Sequence, residues 1–336
     1  MKRNHLIPRE KSKKVIYLDP RGRGVDQKHY GAMALYVLAV LCALYCVGIG
    51  LFVGFGSYFF LIWGVIAAFC AAWGWILTHK SVQERIPRWI RMTFCGLVAA
   101  GILLLLILEG IAIAEKIQPF GSGSFLIVDA LHQYLPFFAD YQEKLKHMDS
   151  MFYSFHAGLG YNFLGLWAYY LASPLNLVIA LVPKSMLTMV LSHLYVLKIA
   201  LCCFTAAFYF RKRRGKDEIS IVAFGMAYGL CSYMVGYSWN IMWMEVMMML
   251  PLILYGVDKL IKEHDGRFYC ITLFISLWCN FYMSYMTCLF LILWYLLYPH
   301  KNIKEFFLNG LRFAGYSLLS GAMAAVVLLP AYLGIM

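Results

Sequence analysis

The sequence predicts an all-α, polytopic transmembrane helical bundle of eight or nine spans, with an outer loop of interfacial amphipathic helices. Three observations carry that expectation. Of the 336 residues, 62% are hydrophobic and 14% charged, whereas soluble domains run at about half and about a quarter. Several apolar runs exceed the roughly 20 residues that a helix rising ~1.5 Å per residue needs to cross ~30 Å of hydrocarbon. The same runs lack strand-like alternation and are too long for the tilted strands of an outer-membrane barrel.

A net charge of +12 raises the question of nucleic acid. The basic residues fall in short segments beside the expected spans, where positive charge marks the cytoplasmic side, so topology accounts for them and no nucleic-acid partner is expected. All ten cysteines (Cys42, Cys46, Cys70, Cys95, Cys202, Cys203, Cys231, Cys270, Cys279 and Cys288) lie in apolar runs. None shows paired metal-ligand spacing, so they read as packing residues and no metal is expected. No cleavable signal peptide is visible, because the first apolar run begins near Tyr30 behind a long basic leader.

That leader, residues 1–29, holds nine Lys or Arg against three acids and reads as a cytoplasmic arm able to touch anionic lipid. Residues 30–91 follow as a two-span hairpin, Tyr30 to Val53 and Tyr58 to Leu77, joined by the short "GFGS". Lys80, Arg85, Arg88 and Arg91 return the chain to the cytoplasm before a third span, Met92 to Ala114. Residues 115–183 then form a long outer loop too rich in Trp, Tyr and Phe for a solvated linker. In "DALHQYLPFF", Leu131, Tyr134, Leu135 and Phe138 recur at the spacing of one helical face, with Asp129, His132 and Gln133 opposite. Pro136 is expected to kink or end that helix. The stretch "MFYSFHAGLGYNFLGLWAYYLASPLNLV" has the composition of an interfacial or re-entrant element.

A fourth span from about Ser185 to Phe210 ends in "RKRRGKDE", a fifth covers Ile219 to Tyr237 and a sixth Asn240 to Leu260. Residues 268–298 allow either one tilted crossing or a fold-back at Asn280. Charge favours the fold-back, because it puts Lys301, Lys304 and Arg312 with the other basic loops, and 24 of 29 Lys and Arg then share one side. A last span runs from Asn309 to Leu329.

Three groups stand out as candidates for chemistry. Asp129 on an outer interfacial helix suits a general base, or equally an N-cap, but capping does not explain His132 and Gln133 beside it. Lys198 lies mid-span in "HLYVLKIALCC", where a lysine costs ~2.5–3.5 kcal/mol on insertion scales, so it should face the interior or a wet cavity and would suit a phosphate. Glu245 in "YSWNIMWMEVMMMLP", below Asn240, is a candidate on the same ground, with an interhelical bond to Lys198 as the plainer alternative. His193 reads as structural, and Glu109 is expected to pair with Lys116. The Met run 247–249 reads as packing.

In order along the chain, "PFGSGSFLIVDALHQYLPFF", "YSFHAGLGYNFLGLWAYYLASPLNLV", the lysine-bearing span, "YGLCSYMVGYSWNIMWMEVMMMLPLI" and "NFYMSYM" closely resemble the YfhO family of bacterial membrane proteins over about residues 105–336. The resemblance implies a GT-C-like glycosyltransferase module, here residues 92–336, using a polyprenyl-phosphate-linked sugar to modify a cell-envelope polymer such as teichoic acid. It implies that Asp129 is catalytic, with His132, Gln133, Lys198, Asn240 and Glu245 at the substrate and Lys198 on the lipid phosphate. The implied place is the bacterial cytoplasmic membrane, multi-pass, with the N-terminus cytoplasmic and the active face outside. No cofactor is implied beyond the lipid-linked donor. The two extra N-terminal spans and the early stop depart from the family pattern, which makes a front portion working with a second subunit a further expectation. The competing readings are a lipid-linked-sugar flippase or transporter, which would use Lys198 and Glu245 as pathway charges, and an inactive partner subunit.

Overall fold

The computed structural model describes residues 27–54, 58–83, 85, 88–214 and 219–335, so the basic arm lies outside the described residues apart from its last three. Helices α1 (Gln27–Phe52) and α2 (Tyr58–Thr78) form the expected hairpin, and the turn α3 (Lys80–Gln83) leads to α4 (Arg88–Ala114). Cys42, Cys46 and Ile49 of α1 pack on Trp63 of α2, and Ile102 and Leu105 of α4 close the cluster. The hairpin is therefore joined to the rest of the bundle by an apolar seam.

The outer loop is structured throughout. A π-helical turn (Ala130–Tyr134) runs into α5 (Leu135–His147), then an antiparallel pair, β1 (Tyr153–Ser154) and β2 (Tyr161–Asn162), then α6 (Phe163–Tyr170) and a 3-10 stretch (Pro174–Leu181). Asn162 caps α6 by accepting from the Gly165 N–H at 3.1 Å, and Ser173 caps the 3-10 stretch. The two are bent by 110°, as a broken span or re-entrant loop would be. Pro136 does not end its helix. It falls in the first turn of α5, where a missing N–H costs little.

Helix α7 (Leu187–Arg214) is the axis of the bundle: its 28 residues span about 42 Å, and it packs on α4, α8 (Ile219–Gly229) and α10 (Met244–Glu263). Lipid offers helices no hydrophobic reason to associate, so close contact depends on small residues. A Cβ on Gly225 of α8 would stand 2.9 Å from the Ala207 Cβ and 3.0 Å from the Cys203 carbonyl oxygen of α7. The nine cysteines whose side chains are described are unpaired, and Cys202 and Cys203 are fully buried in this seam. The expected fifth span is broken, because extended backbone at Cys231 separates α8 from α9 (Ser232–Gly236).

Residues 268–298 fold back. α11 (Arg267–Cys279) and α12 (Phe281–Leu297) flank Asn280, and the hydroxyl oxygens of Ser276 and Ser284 lie 2.7 Å apart. In a straight helix those residues would be separated by about 12 Å. Asn280 is extended and accepts from the Met283 N–H at 2.9 Å, capping α12. Ser276→Cys/Ser284→Cys, in an otherwise cysteine-free chain, should therefore form a disulfide on mild oxidation. Two thiols that stay reduced would mean one straight crossing.

The chain closes with α13 (Ile303–Met323) and α14 (Ala325–Ile335), bent by 66° from one another, α14 resting on α6 through Ala168, Val327 and Ala331. Among the described residues four helices are long and apolar enough to cross a membrane, or six if each bent pair is one span. Four further apolar helices, Ala100–Ala114, Ser220–Gly236, Arg267–Cys279 and Phe281–Leu297, are shorter, at 10–17 described residues.

The two ends of the bundle differ in chemistry. At one end Arg213 of α7 lies 3.6 Å from Asp258, Lys259 and Arg267 meet Asp265, and the Arg312 guanidinium of α13 lies 3.0 Å from His264. At the other, the Asn280 tip donates to the Tyr169 carbonyl at 2.9 Å and the Trp278 indole to the Ala172 carbonyl at 3.0 Å. The fold-back thus returns Arg312 to the basic end and carries Asn280 into the aromatic outer loop.

Candidate functional site

The site is built from the start of the outer loop. Val128 has φ 51, a left-handed conformation that costs a β-branched residue of order 1–3 kcal/mol. The strained residue lifts the chain into the π turn and leaves Asp129 exposed immediately after it. Asp129 occupies the N-cap position, yet its side chain makes no capping bond. Its carboxylate is therefore available for something other than the helix. The wider π turn also shifts the helical face: Ala130 and Tyr134 point inward while Leu131, expected on the buried side, is 42% exposed. His132 is exposed on the same turn. Gln133 is half-buried, and the charge of Asp129 acts on both Tyr134 and Tyr170. The phenol of Tyr134 is pushed above its ordinary pKa by burial first, then by Tyr170 and Asp129.

Below this surface the remaining candidates form a buried polar column. The Tyr134 hydroxyl donates to Asn240 Oδ1 at 3.0 Å, and Tyr134 stacks near Tyr170 and Trp239. One residue on, the Ile241 carbonyl accepts from Lys198 Nζ at 3.2 Å. The same ammonium donates to Asn176 Oδ1 at 3.2 Å and lies 2.5 Å from Glu245 Oε1. Lys198 and Asn176 are 0% exposed and Glu245 2%. Lys198 thus faces the bundle interior, as its cost in lipid requires. Two of its protons are donated to the Asn176 and Ile241 oxygens and its charge is met by Glu245, whose oxygens have no other hydrogen-bond partner, so a phosphate would have to compete with that carboxylate to reach it. Asn240 is 2% exposed and ties the outer loop to α10. Of the six predicted residues, Asn240, Lys198 and Glu245 belong to this buried column, which meets the π turn at Tyr134; Asp129 and His132 are exposed on that turn and Gln133 is half-buried.

Glu109 does not pair with Lys116. It is buried at the outer-loop end of α4, where it accepts from the Tyr45 hydroxyl of α1 at 2.8 Å and meets His193 Nδ1 of α7 at 2.8 Å. The other ring nitrogen of His193 lies 2.8 Å from the Gln118 carbonyl. Local helical spacing pointed to Lys116, but the tertiary partners come from two other helices.

A second polar group, missed in the sequence, stabilises the outer hairpin. Asp140 of α5 is 4% exposed, lies 2.8 Å from His156 Nδ1 and accepts from the Tyr161 hydroxyl at 2.6 Å. Burial works to raise its pKa, but hydrogen bonds from Ser154, Tyr161 and His156 outweigh it and hold the carboxyl below the ordinary range. A carboxyl depressed in the folded state contributes stability above its unfolded pKa, about 3.9, and loses it as pH falls through the folded value. Protease resistance of residues 149–162 should therefore stay flat from neutral pH to about 4 and drop only below that. Asp140→Asn, which leaves one partner poorly matched, should cost about 1–3 kcal/mol at neutral pH. Resistance falling already between pH 7 and 5 would show that another group controls the hairpin.

Long apolar helices, small-residue seams and an aromatic loop folded over one end of the bundle define a helical membrane protein. The chain belongs to the family described as bacterial membrane protein YfhO, which matches residues 100–336 and so takes in both the π turn and the buried column. No curated protein and no solved structure matches it. Helices α1 to α3 precede the matched stretch.

Proposed function

We propose that this protein is a GT-C-like membrane glycosyltransferase that moves a sugar from a polyprenyl-phosphate carrier to a cell-envelope acceptor at the end of the bundle holding Asp129. One observation carries the reading: an exposed carboxylate with no capping task, presented by a strained residue on the same turn as a histidine and a glutamine, above the stacked rings of Tyr134 and Trp239. In this mechanism the Asp129 carboxylate takes the proton of an acceptor hydroxyl as its oxygen bonds to the anomeric carbon. The bond from that carbon to the carrier phosphate breaks, and the phosphate leaves with the electron pair. His132, exposed on the same turn, hydrogen-bonds the phosphate as its charge develops. Aromatic rings of Tyr170 and Trp239 offer flat apolar faces to the sugar.

Lys198 serves this reaction from beneath. Held by Glu245 and Asn176, it fixes the Ile241 carbonyl and hence Asn240, on which Tyr134 and the π turn rest. A lysine that is fully buried and ion-paired suits positioning better than a transport path, which supports the enzyme over the transporter.

In this reading the basic end is cytoplasmic and the Asp129 end faces outward, because loops with excess Lys and Arg are retained inside. A single cysteine at position 132, in a cysteine-free chain, should be labelled in intact cells by an impermeant thiol reagent. Labelling only after lysis would reverse the orientation. The activity is tested by incubating the purified protein with radiolabelled polyprenyl-phosphate sugars and candidate envelope polymers, alone and with any second subunit. Label appearing on the polymer supports transfer.

A further inference from the structure

Between the N-terminal hairpin and α4 lies a cavity of ≈ 430 Å³. Leu44, Gly48 and Ile49 of α1, Ile113 of α4 and Phe120 of the loop beyond it form its walls. Leu44 is 64% and Ile113 43% exposed, so the groove opens sideways, where hydrocarbon lies around a membrane protein. Its two polar members differ in role. The Tyr45 hydroxyl is turned to Glu109 at 2.8 Å, which leaves its ring as wall. Lys116 is exposed just past the end of α4, its backbone fixed by the Gly123 N–H on its carbonyl at 2.9 Å. Among the described residues no carboxylate forms an ion pair with Lys116.

We propose that this groove is a binding site for an anionic phospholipid, one acyl chain lying along α1 and α4 with the phosphate on Lys116. Charge complementarity selects the headgroup: an unpaired ammonium at the rim of an apolar channel attracts an anion attached to a chain. Size selects the tail. At about 30 Å³ per water-sized group, the cavity holds about fourteen such groups, close to one acyl chain, while a long polyprenyl chain would leave most of its length outside. Gly48 keeps the channel open, since a Cβ there would meet nothing within 4 Å. Leu44, Gly48 and Ile49 lie before the family-matched stretch while Ile113, Lys116 and Phe120 lie within it, so the groove forms where the N-terminal hairpin meets the matched part of the chain.

Native mass spectrometry of the detergent-solubilised full chain, titrated with phosphatidylglycerol, phosphatidylcholine of the same chains and a polyprenyl phosphate, tests this. Phosphatidylglycerol should be retained over phosphatidylcholine. Gly48→Leu grows into open space and should lower phosphatidylglycerol occupancy about fivefold or more with an unchanged melting temperature. Lys116→Gln, at an exposed position that leaves the fold intact, should abolish the preference between the two headgroups. Equal retention of the two phospholipids, occupancy indifferent to Gly48→Leu, or polyprenyl phosphate held in preference to phosphatidylglycerol would each overturn the proposal.

Discussion

Asp129→Asn is expected to lower sugar transfer by at least about a hundredfold while protein level and donor binding stay near native, the loss that removal of a general base brings. The amide keeps the shape of the side chain and could cap the helix as well as the acid does, but it cannot take the acceptor's proton. Because Asp129 is exposed and makes no capping bond, little stability depends on it. Loss of activity would therefore report chemistry and not unfolding. Near-native transfer by the Asn variant, in a preparation shown to be active, would make the carboxylate dispensable and remove the base from the mechanism.

Lys198→Met should have the larger effect on stability. Removing one partner of a buried ion pair leaves the other charged and unsolvated, at a cost of about 3–5 kcal/mol. Here Glu245 would be stranded at 2% exposure, and Asn176 and the Ile241 carbonyl would lose a donor as well. Thermal unfolding in detergent should show a marked drop for Lys198→Met and for Glu245→Leu alone. Recovery of most of the loss is expected in the double variant, because a well-packed apolar pair replaces a buried ionic one at little cost. A single Lys198 variant with unchanged stability but weakened donor binding would instead return the lysine to the carrier phosphate.

Much of this was legible in the sequence, for physical reasons that can be named. The cost of a charge in hydrocarbon singled out Lys198 and Glu245, and the ion pair at 2.5 Å is the response to that cost. The excess of basic residues predicted the reversal at Asn280, which the contact between Ser276 and Ser284 establishes. Helical periodicity found Tyr134 and Phe138 on the buried face of the outer loop, since each side chain's direction follows from its place in the turn.

What the sequence did not convey lies in backbone conformation and in distant partners. No residue pattern announced the π turn, so Leu131 was placed on the wrong face, and nothing in the string "FLIVD" signals positive φ at Val128. Glu109 found Tyr45 and His193 through the packing of α1, α4 and α7, which local spacing does not encode. The Asp140 group was missed because His156 and Tyr161 reach it only once the β1–β2 hairpin has folded over α5. Asn176 carried one readable signal, a lone amide in an apolar run, and proves to be an acceptor for Lys198.

The central claim is that the end of the bundle carrying Asp129 transfers sugar from a lipid carrier, and a leaflet-resolved assay tests it most directly. The protein, with any second subunit, is reconstituted in vesicles with radiolabelled polyprenyl-phosphate sugar, and an envelope polymer is supplied only on the side of the Asp129 end. Label should pass to the polymer with release of polyprenyl phosphate, and should stop passing in Asp129→Asn. Labelled carrier that crosses the bilayer intact while the polymer stays unlabelled would contradict the account.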